Sequence, residues 1–142
     1  MNTETLDIVK KLIKGIETDK GYLVVSPLKD EKKVAFKYID VELNKYNQRL
    51  KNTNNPWRLP YRYELSLIHK LNDALPETHH LRPDIGYWVK DDVPNKKKVR
   101  SHLRPVRIMA EEECELVAET YKNLVNHIST EVVKKFKEKI VS

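Results

Sequence analysis

Basic side chains interleaved with aromatic rings are the residues here whose types and spacing could do chemistry. That chemistry is recognition of an acidic polymer. Trp57, Arg58, Tyr61, Arg62 and Tyr63 fall close together, and Tyr87 and Trp88 follow. The stretch NKKKVRSHLRPVR (95–107) then supplies Lys96, Lys97, Lys98, Arg100, Arg104 and Arg107 with no acid among them. Cations fix phosphate oxygens, and exposed aromatic faces stack on unpaired bases at about 1–3 kcal/mol each. From Lys45 to Arg107 there are 14 Lys/Arg against 6 Asp/Glu, a local excess of 8, whereas the whole chain carries a formal charge of +6. Trp57, Arg58, Arg62, Trp88, Lys96, Lys97, Lys98, Arg100, Arg104 and Arg107 therefore form the expected binding set. The expected partner is RNA, DNA or a nucleoprotein complex, with an acidic protein surface as the other choice. Each ring taken singly also fits a core position, and a Lys/Arg-rich strand also fits a sheet edge guarded against aggregation.

Other chemistries are poorly provided for. With 3 glycines the chain has no glycine-rich phosphate loop. Glu64, Pro83-Asp84 and Lys90 resemble a degenerate metal-dependent nuclease of the PD-(D/E)xK type, over some 30 residues. The strand acid such an enzyme needs is missing, because position 88 is Trp88 rather than a carboxylate. His69, His79, His80, His102 and His127 are scattered, and lone Cys114 sits among Glu112, Glu113 and Glu115, which oppose a thiolate. No ribonucleoprotein, GXXG or zinc-finger pattern is present. The expectation is a non-enzymatic binding protein without cofactor or metal. Its lysine- and asparagine-rich composition also fits a viral or mobile-element accessory factor that inhibits a host nucleic-acid complex.

The elements that must position these residues follow from periodicity. Leu6, Val9, Leu12, Ile13 and Ile16 predict an amphipathic helix over 4–17, capped by Thr3 or Thr5. Tyr22–Val25 and Lys33–Ile39 flank a polar turn and predict one hairpin; Ile85–Lys90 with the basic stretch predicts a second, ended or held at an edge by Pro105. Helices are expected at 41–51 and from Pro60 to Ala74 or Leu75. From Ala110 to Val141 a long amphipathic helix is expected, with Glu111, Glu112, Glu113, Glu115 and Glu119 near its start and Lys134, Lys135, Lys137 and Lys139 near its end. That polarity suits the helix dipole. It leaves an alternative function open, assembly as a homodimer through the C-terminal helix.

These elements predict a single α+β domain over 1–142, a small antiparallel or mixed sheet of two hairpins flanked by helices. One cysteine, no apolar leader and no apolar run of about 20 residues predict no membrane association and a reducing, cytoplasmic setting, host cytoplasm if the protein is viral.

Overall fold

The computed structural model describes residues 2–50, 55–91 and 100–141. It is α+β, with four α-helices and two small antiparallel sheets among those residues. The chain divides into two compact units, one of residues 1–12 and 111–142, the other of residues 13–110. Lys96, Lys97 and Lys98 lie outside the described residues.

The first unit pairs helix α1 (Thr3–Leu12) with helix α4 (Glu111–Val141). Asn2, not Thr3 or Thr5, caps α1: its Oδ1 accepts the Thr5 N–H at 2.7 Å. Lys122 on α4 meets Glu4 of α1 at 3.1 Å. The seam Cys114, Ala118, Tyr121, Val125, Ile128, Val132 advances along α4 by 4, 3, 4, 3 and 4 residues. Cys114 and Ala118 are buried, whereas Val125, Ile128 and Val132 are exposed.

The second unit opens where α1 stops. The expected helix over 4–17 ends at Leu12 because Gly15–Thr18 is strand β1, paired with β2 (Gly21–Val25) from Gly15 opposite Val24 to Thr18 opposite Gly21. The helical spacing of Ile13 and Ile16 yields to tertiary pairing, since an added strand satisfies four residues of backbone at once. A two-residue turn, Asp19-Lys20, closes this hairpin. The Thr18 hydroxyl stitches it by donating to the Gly21 carbonyl at 2.8 Å and accepting the Lys20 N–H at 3.2 Å. Gly21 adopts φ +133°, and a Cβ there would stand 2.6 Å from the Met109 carbonyl oxygen. Gly21→Ala is therefore expected to lower stability by about 1–3 kcal/mol, read as a fall in the denaturant midpoint.

β2 is the centre of the larger sheet, with β5 (Val106–Met109) antiparallel on its other side. Its run Tyr22–Val25 is buried on both faces, as a continuous apolar strand should be. The smaller sheet pairs β3 (Lys32–Ala35) with β4 (Arg100–Leu103). The expected hairpin partners thus differ. The run after the polar turn leaves β2 and joins β4, while 85–90 contributes an isolated bridge, Tyr87 to His102. Pro27, between the two runs, starts a 3-10 turn at Leu28–Asp30 that redirects the chain.

Helix α2 (Ile39–Leu50) and helix α3 (Arg62–Lys70) complete this unit. Ile68 of α3 is fully buried in a core with Leu23, Val25, Leu75, Leu81, Tyr87 and Val106. A satellite cluster joins Ile39, Trp88 and Leu103. Asn47 of α2 brackets Trp57 as a strand would, its Oδ1 accepting the Trp57 N–H at 2.8 Å and its Nδ2 donating to the Trp57 carbonyl at 2.9 Å. This bracket sets the path of 57–61 into α3. Among the described residues no helix is long and apolar enough to cross a membrane.

Candidate nucleic-acid interface

Of the expected binding set, the structure buries Trp88, Arg104 and Arg107. Trp88 is buried against Ile39 and Leu103 and donates its indole N–H to the Val34 carbonyl at 3.0 Å. Arg107 is buried on β5, its Nε donating to the Asn55 carbonyl at 3.0 Å. Arg104, between β4 and β5, is 0% exposed. These three do not present a surface. β4 and β5 do lie at the edges of their sheets, as Pro105 led one to expect, yet Arg104 and Arg107 turn inward rather than to solvent. Arg100 opens β4 opposite Ala35, with its side chain outside the described set. Trp57 is half-buried, edge-on to Tyr46 at 5.4 Å.

Arg104 belongs instead to a buried polar cluster. Its Nε donates to the Ser26 carbonyl at 2.8 Å, and its Nη1 meets Glu31 Oε1 at 3.2 Å. Arg82 ion-pairs the other Glu31 oxygen. The Glu31 side chain is only 2% exposed. Burial works to raise its pKa, but hydrogen bonds from Tyr87 and Arg82 and the charges of Arg82 and Arg104 prevail, holding it below the usual carboxylate value. Burial, then the bond to Glu31, pushes Tyr87 up to about 12. Burial lowers the Arg104 pKa. Among the described residues, Arg104 Nη2 and the Ser26 hydroxyl find no hydrogen-bond partner. This cluster joins residues 73 and 78 positions apart and holds the turn after β2 to the β4–β5 corner.

Arg58 and Arg62 do come together, around the start of α3. Arg58 forms a two-pronged pair with Glu64, Nη1 to Oε1 at 2.7 Å and Nη2 to Oε2 at 2.9 Å. Glu64 also accepts the Tyr61 N–H at 2.8 Å, closing the first turn of α3. Burial raises the Glu64 pKa, and the Arg58 pairing with the Tyr61 N–H overrides it to leave the carboxyl low. The pairing holds Arg58 high in turn. Asp91 caps the helix from outside, its Oδ1 accepting the Arg62 N–H at 2.8 Å. The Lys90 N–H donates to the Pro60 carbonyl at 2.9 Å, so this segment is tied across the helix start.

On this scaffold the rings of Tyr61 and Tyr63 stack, 5.9 Å between centroids and 13° from parallel. Arg58 and Lys90 stand over the Tyr61 ring at 5.1 and 5.4 Å. Lys20, delivered by the β1–β2 turn, stands over Tyr63 at 5.5 Å and reaches its hydroxyl at 3.4 Å. That hydrogen bond raises the Lys20 pKa. Tyr63 is 53% exposed, and Arg62, Lys20 and Lys90 are exposed. Asp19 and Asp91 temper the positive charge, whereas Glu64 is turned in and taken up by Arg58. The face is a short aromatic shelf edged with cations.

The sequence singles out Arg58 and Arg62, places Tyr61 and Tyr63 only among interleaved rings, marks Lys90 only in the nuclease-like pattern and leaves Lys20 unmarked. The turn chemistry of Thr18-Asp19-Lys20-Gly21 carried the missing signal for Lys20; the contact itself, 43 residues away, carried none. Glu64, the helix acid of the nuclease-like pattern, is paired with Arg58, and among the described residues no three His, Cys, Asp or Glu are grouped to hold a metal ion. Cys114 is buried. No protein-family model matches the chain, and comparison with curated proteins and with solved structures gives no match. The class is set by fold and face alone: an α+β module with an aromatic–cationic patch at a helix start.

Proposed function

We propose that this protein is a non-enzymatic binding module for single-stranded nucleic acid. The Tyr61–Tyr63 shelf stacks on bases, while Lys20, Arg62 and Lys90 hold the backbone. The observation that carries this reading is the near-parallel, partly exposed tyrosine pair with cations over both rings. Stacking tolerates any base, because every base has a π-face, so weak sequence preference is expected. Arg58 has a supporting part: paired to Glu64, it fixes the underside of Tyr61. The same face would let the protein inhibit a nucleic-acid-handling complex by competing for its strand.

The test is binding of labelled single-stranded RNA and DNA oligonucleotides to the full chain and to Tyr63→Ala. Tyr38→Ala serves as control, since Tyr38 is exposed beneath Lys37 at 5.0 Å and belongs to a different segment. Weakening confined to Tyr63→Ala is expected. Equal binding by all three proteins would overturn the reading.

A further inference from the structure

The geometry of α4 points to a second copy of this chain as the partner of its exposed apolar stripe, in antiparallel orientation; this goes beyond the proposed strand binding and rests on a different unit. The seam that buries Cys114 and Ala118 continues without a break in spacing as Val125, Ile128 and Val132. Beyond that point Val125 is 41%, Ile128 53%, Val132 60% and Phe136 63% exposed, with Leu124 alongside at 56%. Five large apolar side chains on one exposed helix face are costly in water, and repeated 4–3 spacing is the pattern two helices need to lie along one another.

Charge selects the orientation. Glu115 and Glu119 flank the seam at the N-terminal end, and Lys137 lies on the same flank at the C-terminal end, all three exposed. A parallel pair would set Lys134, Lys135, Lys137 and Lys139 of both copies side by side, which repels. An antiparallel pair centred between Val125 and Ile128 sets Val125 of one copy opposite Ile128 of the other, and Tyr121 opposite Val132. In that register Lys137 falls between the other copy's Glu115 and Glu119, so like charges are separated and unlike ones meet. The helix polarity that suits its own dipole thus also makes it complementary to itself in reverse.

Sedimentation equilibrium of the full chain across a wide concentration series tests this, with circular dichroism to verify folding. A monomer–dimer equilibrium is expected. Ile128→Glu, at an exposed position, should keep the helical signal and raise the dimer dissociation constant on the order of 100-fold, since it would strand a charge in the seam. Lys137→Glu should raise it roughly three- to tenfold, and Lys137→Glu with Glu115→Lys and Glu119→Lys should recover most of the loss. A monomer at every concentration would overturn the inference, as would a dimer indifferent to Ile128→Glu. A charge swap no better than Lys137→Glu would overturn the antiparallel orientation. Sedimentation with anionic phospholipid vesicles, while the free protein stays monomeric, would assign the stripe to a lipid surface instead.

Discussion

Replacing Glu31 by glutamine is expected to lower the unfolding free energy by about 3–5 kcal/mol, which is the cost of leaving a buried guanidinium without its counter-charge. Arg104 is 0% exposed, and among the described residues one of its nitrogens has no partner, so it has no route to water when Glu31 is neutral. Against a typical total of about 5–15 kcal/mol, such a loss brings the domain close to unfolding. Asp84→Asn, at an exposed acid, should change stability by no more than about 0.5 kcal/mol. Removing both partners as Glu31→Leu with Arg104→Leu should recover much of the loss, because the single change leaves a lone charge and the double change leaves none.

The pH dependence carries a sign. Glu31 has its carboxyl held low in the folded protein, so the unfolded chain binds the proton more tightly. Its contribution is fully present above the unfolded carboxylate pKa and is lost as pH falls through the lower folded value. Urea midpoints measured from neutral to strongly acidic pH should fall more steeply for the natural chain than for Glu31→Gln. Parallel acid limbs would show that the cluster is not what couples stability to protonation.

The second large effect concerns recognition. Tyr63→Ala is expected to weaken single-strand binding by about 1–3 kcal/mol, up to two powers of ten, with little change in stability because the ring is exposed. Tyr63→Phe should retain most of the affinity, since the stacking surface survives, and lose only the hydroxyl that Lys20 contacts. Tyr61→Ala should cost both affinity and some stability, because Tyr61 lies under Arg58 and Lys90 and opens α3. Measuring affinity and urea midpoint on the same variants separates the two contributions.

The fold class was legible in the sequence because apolar periodicity reports burial directly. The long C-terminal helix, the continuous strand at Tyr22–Val25 and the break at Pro27 follow from local pattern alone, whereas α3 ends at Lys70, short of the Ala74 or Leu75 its apolar stripe predicts, and Asn72–Ala74 tightens into a 3-10 turn. Pairing partners were not, because strand edges meet across tens of residues. Lys32–Ala35 finds Arg100–Leu103 rather than the nearby β2, and no local rule chooses between them. Three members of the binding set, Trp88, Arg104 and Arg107, turn out to be buried. Arg104 and Arg107 belong to a basic run that reads as surface, yet one is matched by Glu31, 73 residues away, and the other by a backbone carbonyl. Buried arginine needs partners that only the tertiary fold can bring. Arg58 and Arg62 were better placed because Glu64 and the start of α3 are local to them.

The most direct measurement is the affinity of a labelled single-stranded oligonucleotide as a function of salt. Each phosphate contact on a single strand contributes a slope near −0.7 in log affinity against log salt. With Lys20, Arg62 and Lys90 on the backbone the account predicts a slope of about −2 from this face, reduced in magnitude by about 0.7 in Arg62→Ala. Binding without salt dependence, or a slope that Arg62→Ala, Lys20→Ala and Lys90→Ala all leave unchanged, would contradict it.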